Sequence, residues 1–524
     1  MLQSLVSMKS KKQKKSVFFI GIGGIGISAL ARWYRAQKWA VSGSDLIPSE
    51  IIRELKKEGC TVKIGHKKAN LGPKTGLVVY NQAIPKNNPE LVRARELEIP
   101  TLTYPEALGQ LTRWHKTIAV TGAHGKSTTT AMMSLVAIKA GLDPTVIIGT
   151  KLKEFKNKNF RAERSIPLKS TVKRGIDTER CSAPANVVHY LIIEADEFHA
   201  SFHNYSPTFA IITNIDREHL DFYKNLTNIK RSFLKFIGNI KKNGTLVVNA
   251  ENKILWGLKK QVEKICAKNK VKILWYGTQL NKTRKPGKLR NSNNRLLSYD
   301  REIEDGTRGT AVEKIRKVLK VPGKHNVSNA LAVYTLARAL KIPEKEILSA
   351  LSSFRGSWRR MEYKGKFKLA GTDYQSLLFD DYAHHPTEIK ATLSAFRGKY
   401  PKHKLICVFQ PHQAKRLQAL FKEFQKCFSD ADALVLLPIY KVPGRDKPAS
   451  FAKDSYRRRG KLKYTSELLA KTIRPSGHLK EVRYAQSPAR LRPVLKSLII
   501  NHSVVVMMGA GDIVEYSKYF YSFT

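Results

Sequence analysis

The sequence TIAVTGAHGKSTTT, at residues 117–130, joins a short apolar strand to a glycine-rich turn and the start of a helix. The helix is predicted over residues 128–140. At such a turn the free N–H groups of the helix N-terminus can surround phosphate oxygens, while Lys126 adds a positive charge and Ser127 a hydroxyl ligand for Mg²⁺. Val120 stands where the GxxxxGK[ST] spacing has its first glycine, so the motif alone is less specific. The segment predicts an α/β domain that binds a nucleoside triphosphate.

Two further apolar strands end in polar residues that could complete a magnesium site. The strand predicted over 187–193 leads into Glu194-Ala195-Asp196-Glu197, and a second strand at 210–212 leads into TNIDREHLD at residues 213–221. A buried strand that delivers a carboxylate at its end is the expected second half of a magnesium–triphosphate site. From the residues alone, His219 is either a metal ligand or a loop histidine with an ordinary partner.

Another glycine-rich turn, GIGGIG at residues 21–26, follows the strand predicted at 17–20 and precedes a helix over 28–37. Small residues let the backbone approach a pyrophosphate, and Asp45, after the next strand, could meet a ribose hydroxyl. The turn could also serve packing alone, and it does not identify the nucleotide. An NAD-dependent oxidoreductase is one alternative, but it leaves the 121–127 turn unexplained.

A third strand–turn–helix unit begins with the apolar strand at 405–409, so the chain is predicted to hold three α/β units with mainly parallel sheets. We predict boundaries near 110–115 and 354–360, and a long hairpin or loop over 279–312. The expected segments are a disordered basic tail (1–15), a first domain (16–112), a central domain (113–356) with a basic inserted loop (151–186), and a C-terminal domain (357–524).

The composition excludes several classes of protein. The chain has 524 residues, with 94 basic and 42 acidic side chains and a formal net charge of +52. Such a charge attracts polyanions without specificity, but no basic stretch alternates with aromatic residues, so we expect no specific nucleic-acid partner. Five scattered cysteines without a CxxC pair argue against a disulfide framework or a zinc module. The absence of an 18-residue apolar run predicts no membrane span, and the N-terminus lacks the order of a secretory signal, so we expect a cytoplasmic protein.

The block DDYAHHPTEI at residues 380–389 places two acids and two histidines at a predicted strand end. Burying such groups is costly without partners, so they form either a functional site or a capping network. The turn GAGD at 509–512 follows another apolar strand and is either a further strand-end site or a simple chain reversal.

Taken together, these residues resemble the Mur ligases, the ATP-dependent amide-forming enzymes of peptidoglycan precursor synthesis. The order and spacing of the blocks are more specific than any single motif, and they extend over nearly the whole chain. The matching blocks are GIGGIGISALA (21–31), GSD (43–45), TGAHGKSTTT (121–130), EADE (194–197), TNIDREHLD (213–221), GKHNVSNALA (323–332), WRRME (358–362), DDYAHHPTEI (380–389), VFQPH (408–412) and GAGDI (509–513).

The resemblance implies an α/β fold of three domains: a Rossmann-like N-terminal domain for a UDP-sugar, a central P-loop ATPase-type domain, and a Rossmann-like C-terminal domain on the amino-acid side. It also implies an activity, with ATP and Mg²⁺ as cofactors. L-Alanine would be joined to the lactyl carboxylate of UDP-N-acetylmuramate through an acyl phosphate, giving ADP and phosphate. The alternative within the family is the ligase that attaches recovered tripeptide to UDP-N-acetylmuramate.

The resemblance also implies roles for single residues. Lys126 would hold the β- and γ-phosphates, Ser127 and Glu194 one Mg²⁺, and His219 a second Mg²⁺. The other expected ATP contacts are Gly122, Ala123, His124, Gly125, Thr128, His325, Asn326 and Asn329, with Asp380 or Asp381 at the ribose. Further expected catalytic residues are Arg359 or Arg360 at the γ-phosphate and His384 or His385 on the amino-acid side. The UDP-sugar contacts would be Gly21, Gly23, Gly24, Gly26 and Asp45.

The chain departs from the family pattern at several places. Asn81-Gln82 replaces a usual pair of serines, Phe198-His199-Ala200 replaces Ser-Asp-Gly, and residues 441–446 replace an Ala-Gly-Glu turn. These changes bear on sugar contacts and amino-acid choice and leave the ATP motifs intact. Some family members carry a carbamylated lysine near the second metal, for which Lys230 and Lys235 are candidates.

Overall fold

The computed structural model describes residues 15–163, 189–278, 310–368, 374–440 and 464–517. Within these ranges three sheets follow one another along the chain, each with helices, which confirms the predicted three-domain α/β fold. Residues 1–14 of the predicted tail, residues 164–186 of the predicted insert and residues 279–309 of the predicted hairpin or loop lie outside the described residues.

The N-terminal domain contains a five-stranded parallel sheet of order β3-β2-β1-β4-β5. Its strands are β1 (Ser16–Ile20), β2 (Ala40–Asp45), β3 (Thr61–Ile64), β4 (Leu77–Tyr80) and β5 (Thr101–Thr103), and its helices are α1 (Ile25–Ala36), α2 (Glu50–Lys57), α3 (Pro89–Glu96) and α4 (Tyr104–Trp114). This strand order matches the first five strands of the Rossmann order 3-2-1-4-5-6.

The central domain contains a seven-stranded sheet of order β12-β11-β10-β6-β9-β7-β8, parallel except for β8. Its strands are β6 (Lys116–Thr121), β7 (Thr145–Leu152), β8 (Lys158–Arg161), β9 (Tyr190–Glu194), β10 (Phe209–Ile212), β11 (Thr245–Asn249) and β12 (Lys272–Tyr276). Its helices are α5 (Lys126–Lys139), α6 (Leu220–Tyr223), α7 (Leu226–Gly238), α8 (Lys253–Gly257), α9 (Lys259–Lys268), α10 (Ala311–Val318), α11 (Lys324–Ala339) and α12 (Glu344–Ser353).

The C-terminal domain contains a six-stranded sheet of order β13-β14-β18-β15-β16-β17, in which only β13 is antiparallel among the described strands. Its strands are β13 (Glu362–Lys368), β14 (Gln375–Asp381), β15 (Lys404–Phe409), β16 (Ala433–Leu436), β17 (Glu481–Tyr484) and β18 (Ser503–Met508). Its helices are α13 (Pro386–Lys399), α14 (Ala414–Ala419), α15 (Phe421–Phe424), α16 (Ser466–Thr472), α17 (Pro488–Leu498) and α18 (Ile513–Tyr516).

The prediction of an inserted loop over 151–186 is wrong for its first residues, which form strands. Residues up to Leu152 continue β7, and β8 then pairs antiparallel with β7. This hairpin is ordered because Asn159 is buried and its side chain donates a hydrogen bond to Ser28 Oγ on α1, at 3.0 Å. The segment is basic and has no apolar run, so its sequence did not indicate this edge strand, which packs against the N-terminal domain.

The carboxyl ends of parallel strands meet at one edge of each sheet, and the polar turns lie there. In the central sheet, β6 lies between β9 and β10, so the 121–125 turn, Glu194 and the 213–219 loop converge. The strands that deliver these groups are almost wholly buried. No helix in the described part of the chain is both long and apolar enough to cross a membrane.

Candidate active site

The turn before α5 has a backbone that only glycine fits well. Gly122 and Gly125 have φ of 137° and 83°, in the region that L side chains rarely adopt. A Cβ on Gly125 would lie 2.7 Å from Asn329 Oδ1, and a Cβ on Gly122 would collide with Thr213. The turn is therefore packed closely between β10 and α11, and it leads directly into the N-terminus of α5.

Lys126 lies at the start of α5 with 14% of its side chain exposed, and it folds back over the turn. Its Nζ donates a hydrogen bond to the carbonyl oxygen of Gly122 at 2.8 Å and lies 2.8 Å from Glu197 Oε2. Burial disfavours the ammonium charge, but the carboxylates of Glu197 and Asp196 more than offset that cost and raise the pKa of Lys126. The side chain is a fixed cation beside the turn, as a phosphate ligand requires.

Ser127 and Glu194 place two oxygen donors together. The Ser127 hydroxyl donates to Glu194 Oε1 at 2.8 Å, and the backbone N–H of Gly149 donates to Glu194 Oε2 at 2.8 Å. Burial raises the pKa of Glu194, although Lys126 opposes the shift. A hydroxyl and a carboxylate are hard oxygen ligands of the kind that Mg²⁺ prefers, so the donor set fits that ion.

His219 lies beside a second group of possible metal ligands. Side-chain atoms of Asp196, Glu197 and His219 lie within 4.8 Å of one another. His219 Nε2 is 3.6 Å from Glu197 Oε1, and the ring lies against Phe198 with centroids 4.6 Å apart. Burial lowers the pKa of His219, which keeps the imidazole in the neutral form that binds metals.

A cavity of about 230 Å³ lies between the central and C-terminal domains. The central domain contributes two parts of its wall, the glycine-rich turn with the start of α5 (His124, Gly125, Ser127 and Thr128) and the start of α11 (His325, Asn326 and Asn329). The C-terminal domain contributes Arg360, Asp381 and Glu388. The structure thus brings the glycine-rich turn, the 323–332 block and the C-terminal domain around one cavity.

The structure separates the two consecutive arginines. Arg360 lines the cavity, whereas Arg359 turns away and donates a hydrogen bond from Nη2 to the carbonyl oxygen of Gly509 at 2.6 Å. The GAGD turn therefore anchors the domain junction through its backbone. Arg360 is the arginine placed to reach a ligand in the cavity.

The two consecutive aspartates also differ. Asp381 lines the cavity, and its carboxylate accepts hydrogen bonds from the N–H groups of Met361 at 2.7 Å and Ala383 at 2.8 Å. Asp380 is buried and has no hydrogen-bond partner among the residues that the structure describes; Lys364 Nζ lies 3.8 Å away, and burial raises the pKa of Asp380 to about 7. Asp381 is the one adjacent to the cavity.

His384 and His385 lie at the N-terminal cap of α13. The DDYAHHPTEI block thus forms the capping network that was one of its two possible roles. His385 Nδ1 accepts a hydrogen bond from the N–H of Thr387 at 3.3 Å, and Glu388 accepts from the N–H of His384 at 3.1 Å. His384 Nδ1 lies 3.0 Å from the carbonyl oxygen of Tyr382. Burial lowers the pKa of both histidines, to about 4 for His384.

The first glycine-rich turn is held by Asp45, whose Oδ2 accepts a hydrogen bond from the N–H of Gly23 at 2.8 Å. Gly21 has φ of 78°, and a Cβ on Gly24 would lie 3.3 Å from Asn81 Nδ2, while one on Gly26 would lie 3.1 Å from the Tyr104 hydroxyl. Asp45 thus has a structural function in this turn, whatever it binds.

Family models cover all three domains in the expected order. Residues 16–116 match the Mur ligase family catalytic domain, 120–337 the Mur ligase middle domain, and 359–511 the Mur ligase glutamate ligase domain. The chain belongs to the Mur ligase family. The oxidoreductase alternative is not supported, because none of these matches is to an oxidoreductase.

Several relatives span nearly the whole of this Mur ligase. The UDP-N-acetylmuramate–L-alanine ligase of Clostridium perfringens is 36% identical over 519 residues, 97% of this chain and 98% of that protein. The enzyme of the same name from Clostridium novyi is 35% identical over 511 residues, with the same coverage. The solved UDP-N-acetylmuramate-alanine ligase of Thermotoga maritima has the same fold, with a TM-score of 0.66, 24% identity, and 97% and 98% of the two chains covered.

Sequence reasoning missed the acidic groups that hold this Mur ligase's central and C-terminal domains together. Asp216 and Glu218 precede His219 in the 213–221 block, and Glu388 lies in the DDYAHHPTEI block, but no role was assigned to any of them. Each contacts a side chain from the other domain. The sequence shows these residues only as carboxylates near strand ends. It does not indicate which side chains, far away along the chain, they contact in the fold.

Proposed function

We propose that the protein joins L-alanine to the lactyl carboxylate of UDP-N-acetylmuramate in an ATP-dependent reaction that gives ADP and phosphate. The observation that carries the proposal is the similarity over 97% of the chain to relatives named UDP-N-acetylmuramate–L-alanine ligase. The site supports it, because the glycine-rich turn and Arg360 line one interdomain cavity suited to a triphosphate. Lys126 folds back over the same turn.

The reaction needs activation, because forming an amide from a carboxylate in water is uphill. The lactyl carboxylate attacks the γ-phosphorus of ATP, the bond to the β-phosphate oxygen breaks, and ADP leaves. The amine of L-alanine then attacks the acyl phosphate, and phosphate departs from the tetrahedral intermediate. Two anions meet in the first step, so positioning and charge neutralisation are the main tasks of the protein.

Lys126 and Arg360 supply the positive charge at the phosphates, and the N–H groups of the α5 N-terminus add hydrogen bonds. Ser127 and Glu194 are assigned to one Mg²⁺ and His219 to a second. Bound Mg²⁺ would neutralise the phosphate oxygens. Asn326 and Asn329, which line the same cavity with His325, are assigned to the adenine and Asp381 to the ribose.

The attacking amine must lose a proton to become nucleophilic. Burial lowers the pKa of His384 and of His385, so both are neutral on the amino-acid side. His384 is assigned to accept that proton at Nε2, because its Nδ1 donates to the carbonyl oxygen of Tyr382, whereas His385 Nδ1 already accepts from the N–H of Thr387. The UDP-sugar is assigned to the N-terminal domain, at the turn formed by Gly21, Gly23, Gly24 and Gly26 with Asp45. Closure of the domains excludes water, which would otherwise hydrolyse the acyl phosphate. We expect the enzyme to act in the cytoplasm.

The decisive experiment measures phosphate release from ATP with UDP-N-acetylmuramate present and L-alanine, L-serine, glycine or the recycled tripeptide added separately. The proposal predicts the highest kcat/KM with L-alanine. A preference for tripeptide would identify the recycling ligase instead. Absence of ATP consumption with every amino acid would refute ligase activity on this sugar.

A further inference from the structure

His124 of the glycine-rich turn contacts carboxylates from two domains at once. Its Nε2 lies 2.9 Å from Asp216 Oδ2, in the loop after β10 of the central domain. Its Nδ1 lies 3.3 Å from Glu388 Oε1, in the first turn of α13 of the C-terminal domain. One imidazole of the phosphate turn therefore bridges the domain boundary.

The charges of this group are complementary. Burial disfavours the charged form of His124, but the carboxylates of Asp216 and Glu388 more than offset this effect and raise its pKa to about 10. The contact with His124 holds the pKa of Asp216 below its ordinary value, against the effect of burial. For Glu388 burial is opposed first by His384 and then by His124 and Arg360, which hold its pKa below the ordinary value. At neutral pH the group is an imidazolium between two carboxylates.

Further contacts align the same pair of domains. The Thr387 hydroxyl donates a hydrogen bond to Asp216 Oδ2 at 2.8 Å, so Asp216 is bound by both His124 and the start of α13. On the other side of Glu388, Arg360 Nη1 lies 3.6 Å from Glu388 Oε1. The carboxylate of Glu388 thus links the phosphate turn to the arginine that lines the cavity.

We propose that His124, Asp216 and Glu388 are positioning residues that form an interdomain latch. The latch holds the C-terminal domain closed on the phosphate turn and sets the position of Arg360 in the cavity. This inference rests on the proposed function for its kinetic consequence, but its structural consequence does not require any substrate. If the latch acts in this way, a variant that removes its charge will both open the two domains and weaken ATP binding.

The interface offers a matched control. Arg217 Nη1 lies 3.0 Å from Glu423 Oε1 across the same boundary, but both side chains are about half exposed. An exposed pair of this kind contributes little. Glu423→Gln therefore removes one interdomain ion pair without affecting the cavity, whereas Glu388→Gln removes the charge of the latch and keeps a residue that can still cap α13, since Gln serves in the capping box.

The test compares wild type, Glu388→Gln, Asp216→Asn and Glu423→Gln as full-length proteins. Small-angle X-ray scattering without substrates measures the radius of gyration, and steady-state kinetics measure KM for ATP and kcat. We expect both latch variants to have a larger radius and an ATP KM raised by about tenfold, with Glu423→Gln equal to wild type. Circular dichroism checks that α13 and the other helices persist.

A double-mutant cycle separates the latch from a general loss of stability. His124→Gln combined with Glu388→Gln should raise the ATP KM no more than about either change alone, because both remove the same contact. Latch variants that scatter like wild type and keep its ATP KM would overturn the proposal. If the ligase assay itself fails, the scattering comparison still decides whether the latch exists.

Discussion

Ser127 on α5 and Glu194 at the end of β9 are joined by a hydrogen bond of 2.8 Å between the serine hydroxyl and the carboxylate. The two residues come from neighbouring strand–turn units, because β6 and β9 pair in parallel and end at the same edge of the sheet. The hydroxyl follows the phosphate turn directly. A metal held by these two oxygens would therefore be adjacent to a phosphate bound at the turn.

Replacing Glu194 with Gln should raise the Mg²⁺ concentration needed for half-maximal turnover by about tenfold or more, because an ionised oxygen ligand becomes a neutral one. The measurement is ligase turnover across a Mg²⁺ titration at saturating ATP. Glu98→Gln, at an exposed glutamate of the N-terminal domain, is the control and should leave the titration unchanged. Equal titrations for the two variants would remove Glu194 from the metal site.

Lys126→Ala should lower kcat by about 10²–10³-fold, since one preorganised cation is lost from a buried site. The helix should persist, because Ala is a good helix former at this position. Lys139→Ala, at the other end of α5, removes an exposed lysine and should keep wild-type turnover. Turnover by Lys126→Ala that equals that of the Lys139 variant would contradict the phosphate assignment.

The main features of the fold were predictable because each strand–turn–helix unit contains local signals. Apolar runs before Gly21, Thr121 and Gln410 predicted strands, and the structure has β1, β6 and β15 there. Parallel sheets place such strand ends at one edge, so a shared site followed from the pattern. β8 was missed because its residues, Lys158–Arg161, are an edge strand without an apolar run.

The choice between adjacent residues could not be predicted in the same way. Arg359 and Arg360 are chemically equal in sequence, and only the packing of Arg359 against Gly509 directs Arg360 to the cavity. Similarly, Asp381 meets backbone N–H groups of the junction, while Asp380 points into the interior. These outcomes depend on the relative placement of two domains, for which a single sequence has no local signal.

A buried lysine should stabilise the junction of all three domains. Lys151 Nζ lies 2.8 Å from Glu54 of the N-terminal domain, and its carbonyl oxygen accepts a hydrogen bond from the N–H of Trp358 at 3.0 Å. Glu54 keeps Arg32 as a partner at 2.9 Å, so the cost of losing the lysine is smaller than for a wholly uncompensated charge. Lys151→Met should lower the Tm by about 2–4 °C.

Differential scanning calorimetry would measure this change. The matched control is Lys158→Met, because Lys158 pairs with Glu58 at 3.0 Å across the same interface but its side chain is 42% exposed. Exposed pairs contribute about 0–1 kcal/mol, so that variant should stay within about 1–2 °C of wild type. An equal decrease in both variants would show that burial of Lys151 is not what matters.

The interdomain latch also predicts a pH dependence of stability. His124 faces Asp216 and Glu388 directly, with His385 and Glu218 beside them. The pKa of His124 rises from 6.5 to about 10, so its contribution is complete below pH 6.5 and is lost as the pH rises toward 10. The pKa of Glu388 falls well below 4.5, so its contribution is complete above pH 4.5 and is lost on acidification.

The difference in Tm between wild type and Glu388→Gln should therefore be largest between pH 4.5 and 6.5, where both groups contribute fully. It should shrink on either side, because acid protonates Glu388 and alkali removes the charge of His124. Thermal unfolding followed by circular dichroism between about pH 3 and 10 would measure both limbs. Glu423→Gln is again the control, and its difference should stay close to zero throughout. A Glu388→Gln difference that increases toward alkaline pH would show that the imidazolium is not the partner, since the neutral ring would then be the form that Glu388 stabilises.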